Sequence, residues 1–293
     1  LQRHRKTNGT GQFNRLYAYE ARFTPGTAGR VSNMDESGCY LAIAHRLADA
    51  AGEIIRTYFR TELNIETKAD ESPVTIADRE AERAMRAIIE EEAPGHGIRG
   101  EEFPEKAGDG EWNWYLDPID GTKLFISGIP LFGTLIALAR DGEPVLGIMD
   151  QPITQERWVG AMDGTASLNG RSIATAKNED LSKSKLFTTD MSYYSSDQVA
   201  GFERLSEATG LTRMGADCYA FAMLATGFID IVTEGNVHEW DVATHVPIIE
   251  NAGGVVTDWN GSHLRFDGQI EIDNILAAAN PALHAKALAV LRG

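Results

Sequence analysis

Four apolar runs of this chain stop at carboxylates, and a fold must either scatter those charges over its surface or gather them in one place. The tightest instance is Trp114-Tyr115-Leu116-Asp117-Pro118-Ile119-Asp120-Gly121-Thr122. A strand-like run meets an acid, a proline turns the chain, and a second acid precedes Gly-Thr. Glu101 and Glu102 follow the short run 97–100 in the same manner. Asp241 opens an apolar helix behind Trp240, and Asp78 falls in the first turn of a helix after Pro73 and Thr75. Carboxylates at strand ends and helix starts can converge in one crevice at a sheet edge. Gathered there, they stay ionised only if cations neutralise them. Oxygen donors without His or Cys partners suit a hard ion, and Mg2+ fits best.

Each acid has an ordinary reading as well. Asp241 alone is a helix N-cap, Glu101-Glu102 a solvated loop pair, and Asp78 a charge complementing a helix macrodipole. The Asp117–Asp120 pair is harder to treat so, because a proline-braced turn followed by Gly-Thr has no structural need for two charges. Jointly, the four places favour a metal site. Gly121 permits close backbone approach, and a helix starting at Thr122 offers free N–H groups as an anion site beside the metals. Metals plus helix-start amides describe a site for a phosphate ester. The Thr122 hydroxyl is placed to orient a metal-bound water, a role compatible with capping its helix. Two rival motifs fail on spacing. Aspartyl-nucleophile phosphatases need acids two apart, whereas Asp117 and Asp120 are three apart. The zinc motif HExxH, suggested by His238-Glu239, needs a second histidine where Val242 stands, so His238 reads as a loop residue.

The rest of the chain supplies alternating elements. Apolar residues from Tyr40 to Leu63 recur at steps of three and four, which predicts a long amphipathic helix. Residues 63–70 read as a short strand or hairpin and 75–92 as a second helix. Strands are expected at 97–100, 112–116, 131–139, 145–149, 157–161, 185–189, 229–233, 254–258 and 274–279, and helices at 194–209, 217–226, 241–252 and 281–292. This density predicts a layered α/β or α+β enzyme body. The charged stretch 178–185 suggests a subdomain boundary near 180, dividing 34–180 from 181–293.

Charge excludes some functions. With 27 Lys+Arg against 43 Asp+Glu, the formal charge is −16, which disfavours binding to nucleic acid. No window approaches the roughly 20 apolar residues that span a bilayer. Two cysteines without metal spacing point to a reducing compartment, the cytoplasm by default. Residues 1–33 carry six basic residues and one acid. They read as a flexible basic tail, a leader or organelle transit peptide, with Met34 opening the domain.

These motifs resemble the inositol monophosphatase-like family. The resemblance rests on Glu101 in GEE, Asp117–Thr122 in DPIDGT, and Trp240-Asp241-Val242-Ala243 followed by Glu250-Asn251-Ala252-Gly253-Gly254, and it covers roughly 40–280. It implies an αβαβα sandwich, Mg2+-dependent hydrolysis of a small phosphomonoester and a homodimer. It makes Glu101, Asp117, Asp120, Asp241 and the Ile119 carbonyl ligands of two or three Mg2+. Attack is then direct, by a metal-activated water that Thr122 and a paired Asp78 orient, with Gly121 and Thr122 holding phosphate. Lys68 and Thr75 fall in the family's mobile active-site loop. Leu131–Leu138, Asp150-Gln151-Pro152-Ile153, Glu156-Arg157-Trp158 and Gly215-Ala216-Asp217-Cys218-Tyr219 look like the histidinol-phosphate phosphatase branch. Asp217 and Glu234, with Gly215 and Ala216, would then meet a cationic substrate. Asp217 as an N-cap and Glu234 at the end of an exposed strand are the plainer alternatives. Glu239 departs from the residue more common before the Trp. An inositol or broad sugar phosphatase, and a non-catalytic regulator on the same fold, are the competing functions; nucleotide or sugar bisphosphates would want basic residues at 217 and 234.

Overall fold

The periodic stretch near the start of the described chain forms α1 (Glu36–Tyr58), which buries Leu47, Ala48, Ala51 and Ile55 on one face. It begins four residues before the predicted start and ends at Tyr58, just ahead of Arg60 at φ 60. This computed structural model describes residues 36–62, 66–67, 73–268 and 271–293. The basic segment 1–33 and Lys68 lie outside the described residues. Of the expected 63–70 strand or hairpin, β1 (Glu66–Thr67) is described, and it pairs antiparallel with β2 (Pro73–Val74). α2 (Ile76–Glu92) starts where Thr75 and Asp78 close a capping box.

A seven-stranded sheet follows, its strands lying side by side in chain order. They are β3 (Gly97–Gly100), β4 (Trp112–Asp120), β5 (Gly133–Arg140), β6 (Glu143–Gln151), β7 (Glu156–Gly160), β8 (Ala166–Leu168) and β9 (Arg171–Ser172). The short α3 (Thr122–Ile126) leaves β4 at its carboxyl end. The second sheet comprises β10 (Lys185–Thr188), β11 (Leu211–Met214), β12 (Ile231–His238), β13 (Val255–Thr257) and β14 (Glu271–Ala278), in the spatial order 11-10-12-14-13. Its helices are α4 (Ser196–Ala208), α5 (Asp217–Ala225), α6 (Glu239–Val242), α7 (His245–Asn251) and α8 (Pro281–Arg292). Both sheets mix parallel and antiparallel pairs.

Alternation along the strands builds the layers, because successive side chains face opposite ways. Trp114, Leu116, Ile136 and Leu138 join the core with α1 and α2, while Tyr115, Leu135 and Ala137 point to the other face. That second core takes in Leu224 of α5, Ile248 of α7, and Val232, Ile275 and Ala277 from the second sheet. Ile231 and Leu276 face outward again, against Phe202 and Leu205 of α4 and Leu283 and Leu291 of α8. The result is the expected αβαβα sandwich. Residues 36–293 cluster as one unit, and position 180 falls in the segment joining the two sheets.

Three departures have physical causes. The strand expected to stop before Asp117 runs on through Pro118 to Asp120, across a bulge. The helix expected over 241–252 divides into α6 and α7. The strands β8, β9 and β11, of three, two and four residues, are too short to show a period of two.

Candidate active site

The bulge makes the site. In a regular strand, residues three apart face opposite sides. Opposite β5, Asp117 pairs with Leu135 and Asp120 with Gly133, so β4 carries one extra residue and both carboxylates turn the same way. Thr134 Oγ1 donates to Pro118 O at 2.8 Å, satisfying a carbonyl inside the bulge. Gly100 pairs with Leu116, and the Glu101 N–H continues that ladder to Leu116 O at 3.2 Å, so Glu101 arrives beside Asp117. Asp241 comes from the other sheet's side, on α6. It closes a capping box with His238, whose N–H donates to Asp241 Oδ2 at 2.8 Å. Carboxylate oxygens of Asp117, Asp120 and Asp241 lie within 4.8 Å of one another.

That spacing is costly for bare charges. At an effective dielectric of about 20, two unit charges 4.8 Å apart repel by about 3.5 kcal/mol. Burial raises the carboxyl of Asp117 well above its ordinary value, and Glu101, Asp120 and Asp241 push it further. Burial does the same to Asp120, joined by Asp217 and Asp241, against a 2.7 Å bond from the Cys218 N–H. Asp78 is pushed to about 6 by burial, although the Thr75 N–H and hydroxyl both donate to its Oδ2, at 2.9 and 2.6 Å. Its Oδ1 is buried without a hydrogen-bond partner. Oxygen-only donors, mutual repulsion and an orphaned carboxylate oxygen together fit a hard divalent cation.

The other expected residues are placed as follows. Ile119 donates its N–H to Asp117 Oδ1 at 2.9 Å, and its carbonyl accepts from Thr122 Oγ1 at 3.1 Å. Gly121, at φ 86, precedes α3; its carbonyl accepts from Leu124 and Phe125, the first helical bonds, which leaves the N–H groups of Thr122 and Lys123 ahead of that pattern. Asp78 and Thr122 share no direct hydrogen bond: Asp78 Oδ2 accepts from Thr75, Thr122 Oγ1 donates to Ile119 O, and Asp78 Oδ1 is left over. His238 is no loop residue: it ends β12, stacks on Trp240 at 4.9 Å, and its bond to Asp241 raises its pKa.

Gly215, Ala216 and Asp217 take φ of 94°, 83° and 40°, an unusual run for two side-chain-bearing residues. Ala216, not Asp217, occupies the N-cap of α5, so Asp217 is the first helical residue rather than the cap. Its carboxyl lies against Gly121, where an added Cβ would be 2.9 Å from Asp217 Oδ2. Glu234 is not at the end of an exposed strand. It is buried within β12, accepting from Thr189 N at 2.8 Å, Thr189 Oγ1 at 2.9 Å and Thr188 Oγ1 at 3.1 Å. Burial pushes its carboxyl up to about 8. Asp217 raises the Glu234 carboxyl and Thr189 lowers that of Asp217, so the two acids and Thr189 are near neighbours.

Several contributors carried no sequence signal. Buried Glu82 accepts from the Glu102 N–H at 2.8 Å and from Arg86 Nε at 2.7 Å, holding the turn that bears Glu101. Lys123 Nζ donates to Tyr193 OH at 2.9 Å beside Asp217 and Asp190. Only tertiary contact brings these groups in. The helical spacing of Asp78 and Glu82, four apart on α2, was the one available hint.

A two-sheet αβαβα sandwich with a carboxylate cluster at the carboxyl ends of β3 and β4 defines a phosphatase-type metal-site protein. Residues 37–293 match the inositol monophosphatase family, and the chain belongs to it as one of its phosphatases. It is 43% identical over 255 residues to "Bifunctional phosphatase IMPL2, chloroplastic" of Arabidopsis thaliana, covering 85% of this chain and 74% of that one. It is 34% identical to a histidinol-phosphatase of Chlorobaculum parvum, covering 86% and 96% of the two chains. Among solved structures, an inositol monophosphatase from Zymomonas mobilis superposes with a TM-score of 0.80 at 43% identity, over 89% of this chain and all of that one (100%). Enzymes of the family use Mg2+ and act on small phosphomonoesters. Among the described residues no helix is long and apolar enough to cross a membrane.

Proposed function

We propose that this chain is a Mg2+-dependent histidinol-phosphate phosphatase, holding the cation with Glu101, Asp117, Asp120, Asp241 and the Ile119 carbonyl. The observation that carries the substrate is the placement of Asp217 Oδ2 against Gly121, next to the carboxylate cluster, with buried Glu234 as a neighbouring acid. Both acids are held above their ordinary values, chiefly by burial, so each gains by meeting a cation. Histidinol phosphate carries an ammonium group, which inositol phosphate lacks. When bound, Mg2+ supplies Lewis acidity for the phosphoryl oxygens and lowers the pKa of a coordinated water.

The chain's own groups do the remainder. The N–H groups of Thr122 and Lys123 face an anion arriving at Gly121, and close approach needs the glycine. Thr122 commits its proton to Ile119 O, leaving its oxygen to accept from the attacking water. The buried Asp78 Oδ1 is a second acceptor for that water or for a further cation. No side chain is required to form a covalent bond to phosphorus.

A phosphate-release panel with Mg2+ tests the substrate, with histidinol phosphate beside inositol 1-phosphate and adenosine 3′,5′-bisphosphate. Histidinol phosphate is expected to give the highest kcat/KM, and Asp217→Ala to lower that value at least tenfold while sparing inositol 1-phosphate. The reverse preference would favour the second reading, an inositol-1-monophosphatase, which the 43% identity to the Zymomonas mobilis protein supports. No Mg2+-dependent turnover on any phosphomonoester would favour a regulatory protein.

A further inference from the structure

Two of the four carboxylates share an unusual support. Arg99 lies on β3 two residues before Glu101, which follows the strand's last residue, and Glu239 lies two residues before Asp241 on the same helix. Arg99 Nη1 donates to Glu239 Oε2 at 2.8 Å, and the glutamate is fully buried while Arg99 is 16% exposed. The Gly268 N–H approaches the other glutamate oxygen at 3.3 Å. Arg99 also donates to Glu105 through Nε, at 3.1 Å, and its guanidinium lies 5.9 Å from the centre of the Tyr115 ring, its partner across β3 and β4. Tyr115 in turn donates to Phe266 O at 2.7 Å.

We propose that the buried Arg99–Glu239 ion pair is a strut that sets the separation of Glu101 from Asp241, and so tunes the affinity of the site for its divalent cation. This rests on the metal reading above. The two arms are short and regular. Arg99 is one residue from the end of β3, and the Glu101 N–H still bonds Leu116 O across to β4, so the strand end that carries Arg99 also anchors Glu101. Glu239 and Asp241 belong to one four-residue helix, too short to persist without tertiary ties. Its ties are the His238–Asp241 box, the buried Val242 and this ion pair. A change at the pair therefore reaches both carboxylates through one residue of backbone on each side. Arg99 and Glu239 are positioning residues; neither is expected to touch substrate or metal.

A purely stabilising pair would behave differently. Removing both charged partners together leaves no unsatisfied buried charge, so stability should largely return. The position of α6 should not return with it. The test is calorimetric titration of MgCl2 into the full chain stripped of metal, with thermal melting alongside. Parent, Glu239→Gln, Arg99→Met and the Arg99→Met/Glu239→Met double variant are compared. Supporting groups around a metal site typically contribute roughly 10–100-fold in affinity, so Glu239→Gln and the double variant are expected to bind Mg2+ at least tenfold more weakly. The double variant is expected to melt close to the parent and above Arg99→Met. Recovery of parent affinity together with parent melting in the double variant would overturn the strut. Should the double variant fail to fold, the isosteric Glu239→Gln decides, and parent affinity there overturns the proposal. A parent chain that binds no Mg2+ would instead sink the metal reading itself.

Discussion

Gly121→Ala tests how closely the phosphate turn and Asp217 are packed. Two effects add. A residue with a Cβ at φ 86 pays about 1–2 kcal/mol for the left-handed backbone. The new Cβ would also stand 2.9 Å from Asp217 Oδ2 and 3.3 Å from Phe132 Cα, so the carboxylate must retreat about half an ångström to reach ordinary contact at 3.4 Å. Gly164→Ala isolates the first effect, because Gly164 has φ 81 with nothing within 4 Å of an added Cβ. In a domain of this size each kcal/mol shifts melting by roughly 2–4 °C. The control should therefore lose about 2–8 °C with activity intact. Gly121→Ala should lose more, and its kcat/KM on histidinol phosphate should fall roughly tenfold, given that a 1 Å misplacement at a reacting site costs on the order of 100-fold. Scanning fluorimetry and phosphate release measure both. Equal melting losses in the two variants with unchanged kcat/KM in Gly121→Ala would refute the reasoning.

Asp120→Asn removes a carboxyl that burial and neighbouring acids strain, so without metal it should melt at or above the parent temperature. In Mg2+ it should lose the parent's stabilisation, which is about 2.7 kcal/mol at 100 times the dissociation constant, along with most activity. Melting scans in EDTA and in MgCl2 check this. Glu234→Gln should flatten the pH dependence of melting. A carboxyl raised to about 8 keeps its proton when folded after the unfolded chain has released it, so its contribution is full below the ordinary carboxylate range and is lost as pH rises toward 8. The slope is at most about 1.4 kcal/mol per pH unit, and Asp78, at about 6, keeps its own part in the variant. A parent-like slope between pH 6 and 8 in the Gln variant would refute the buried protonated glutamate.

Much of this architecture was legible because burial writes periodicity into sequence. α1 shows it in the steps from Leu41 to Phe59, and β5 in a run buried on both faces. The site was legible through Asp117, Asp120 and Glu101, whose positions at the ends of apolar runs persist in the fold. What the sequence hid depends on geometry that no local pattern encodes. The bulge at Pro118 is visible only once β5 lies alongside, and α6 separates from α7 at Ala243-Thr244 although the apolar period continues. The bond from Thr75, three residues away on the same turn, to one oxygen of Asp78 is likewise hidden, because a capping residue and a site residue look alike in sequence. Glu82, Thr189 and the Arg99–Glu239 pair are bonds across elements, between residues 20 to 140 apart in the chain.

Manganese, which binds the same oxygen donors as magnesium, gives the most direct measurement. Anomalous diffraction from crystals soaked in MnCl2 should show density among the carboxylates of Asp117, Asp120 and Asp241, with Glu101 in contact. A map with no peak there, or with its peaks elsewhere on the molecule, would contradict the cation site on which the function rests.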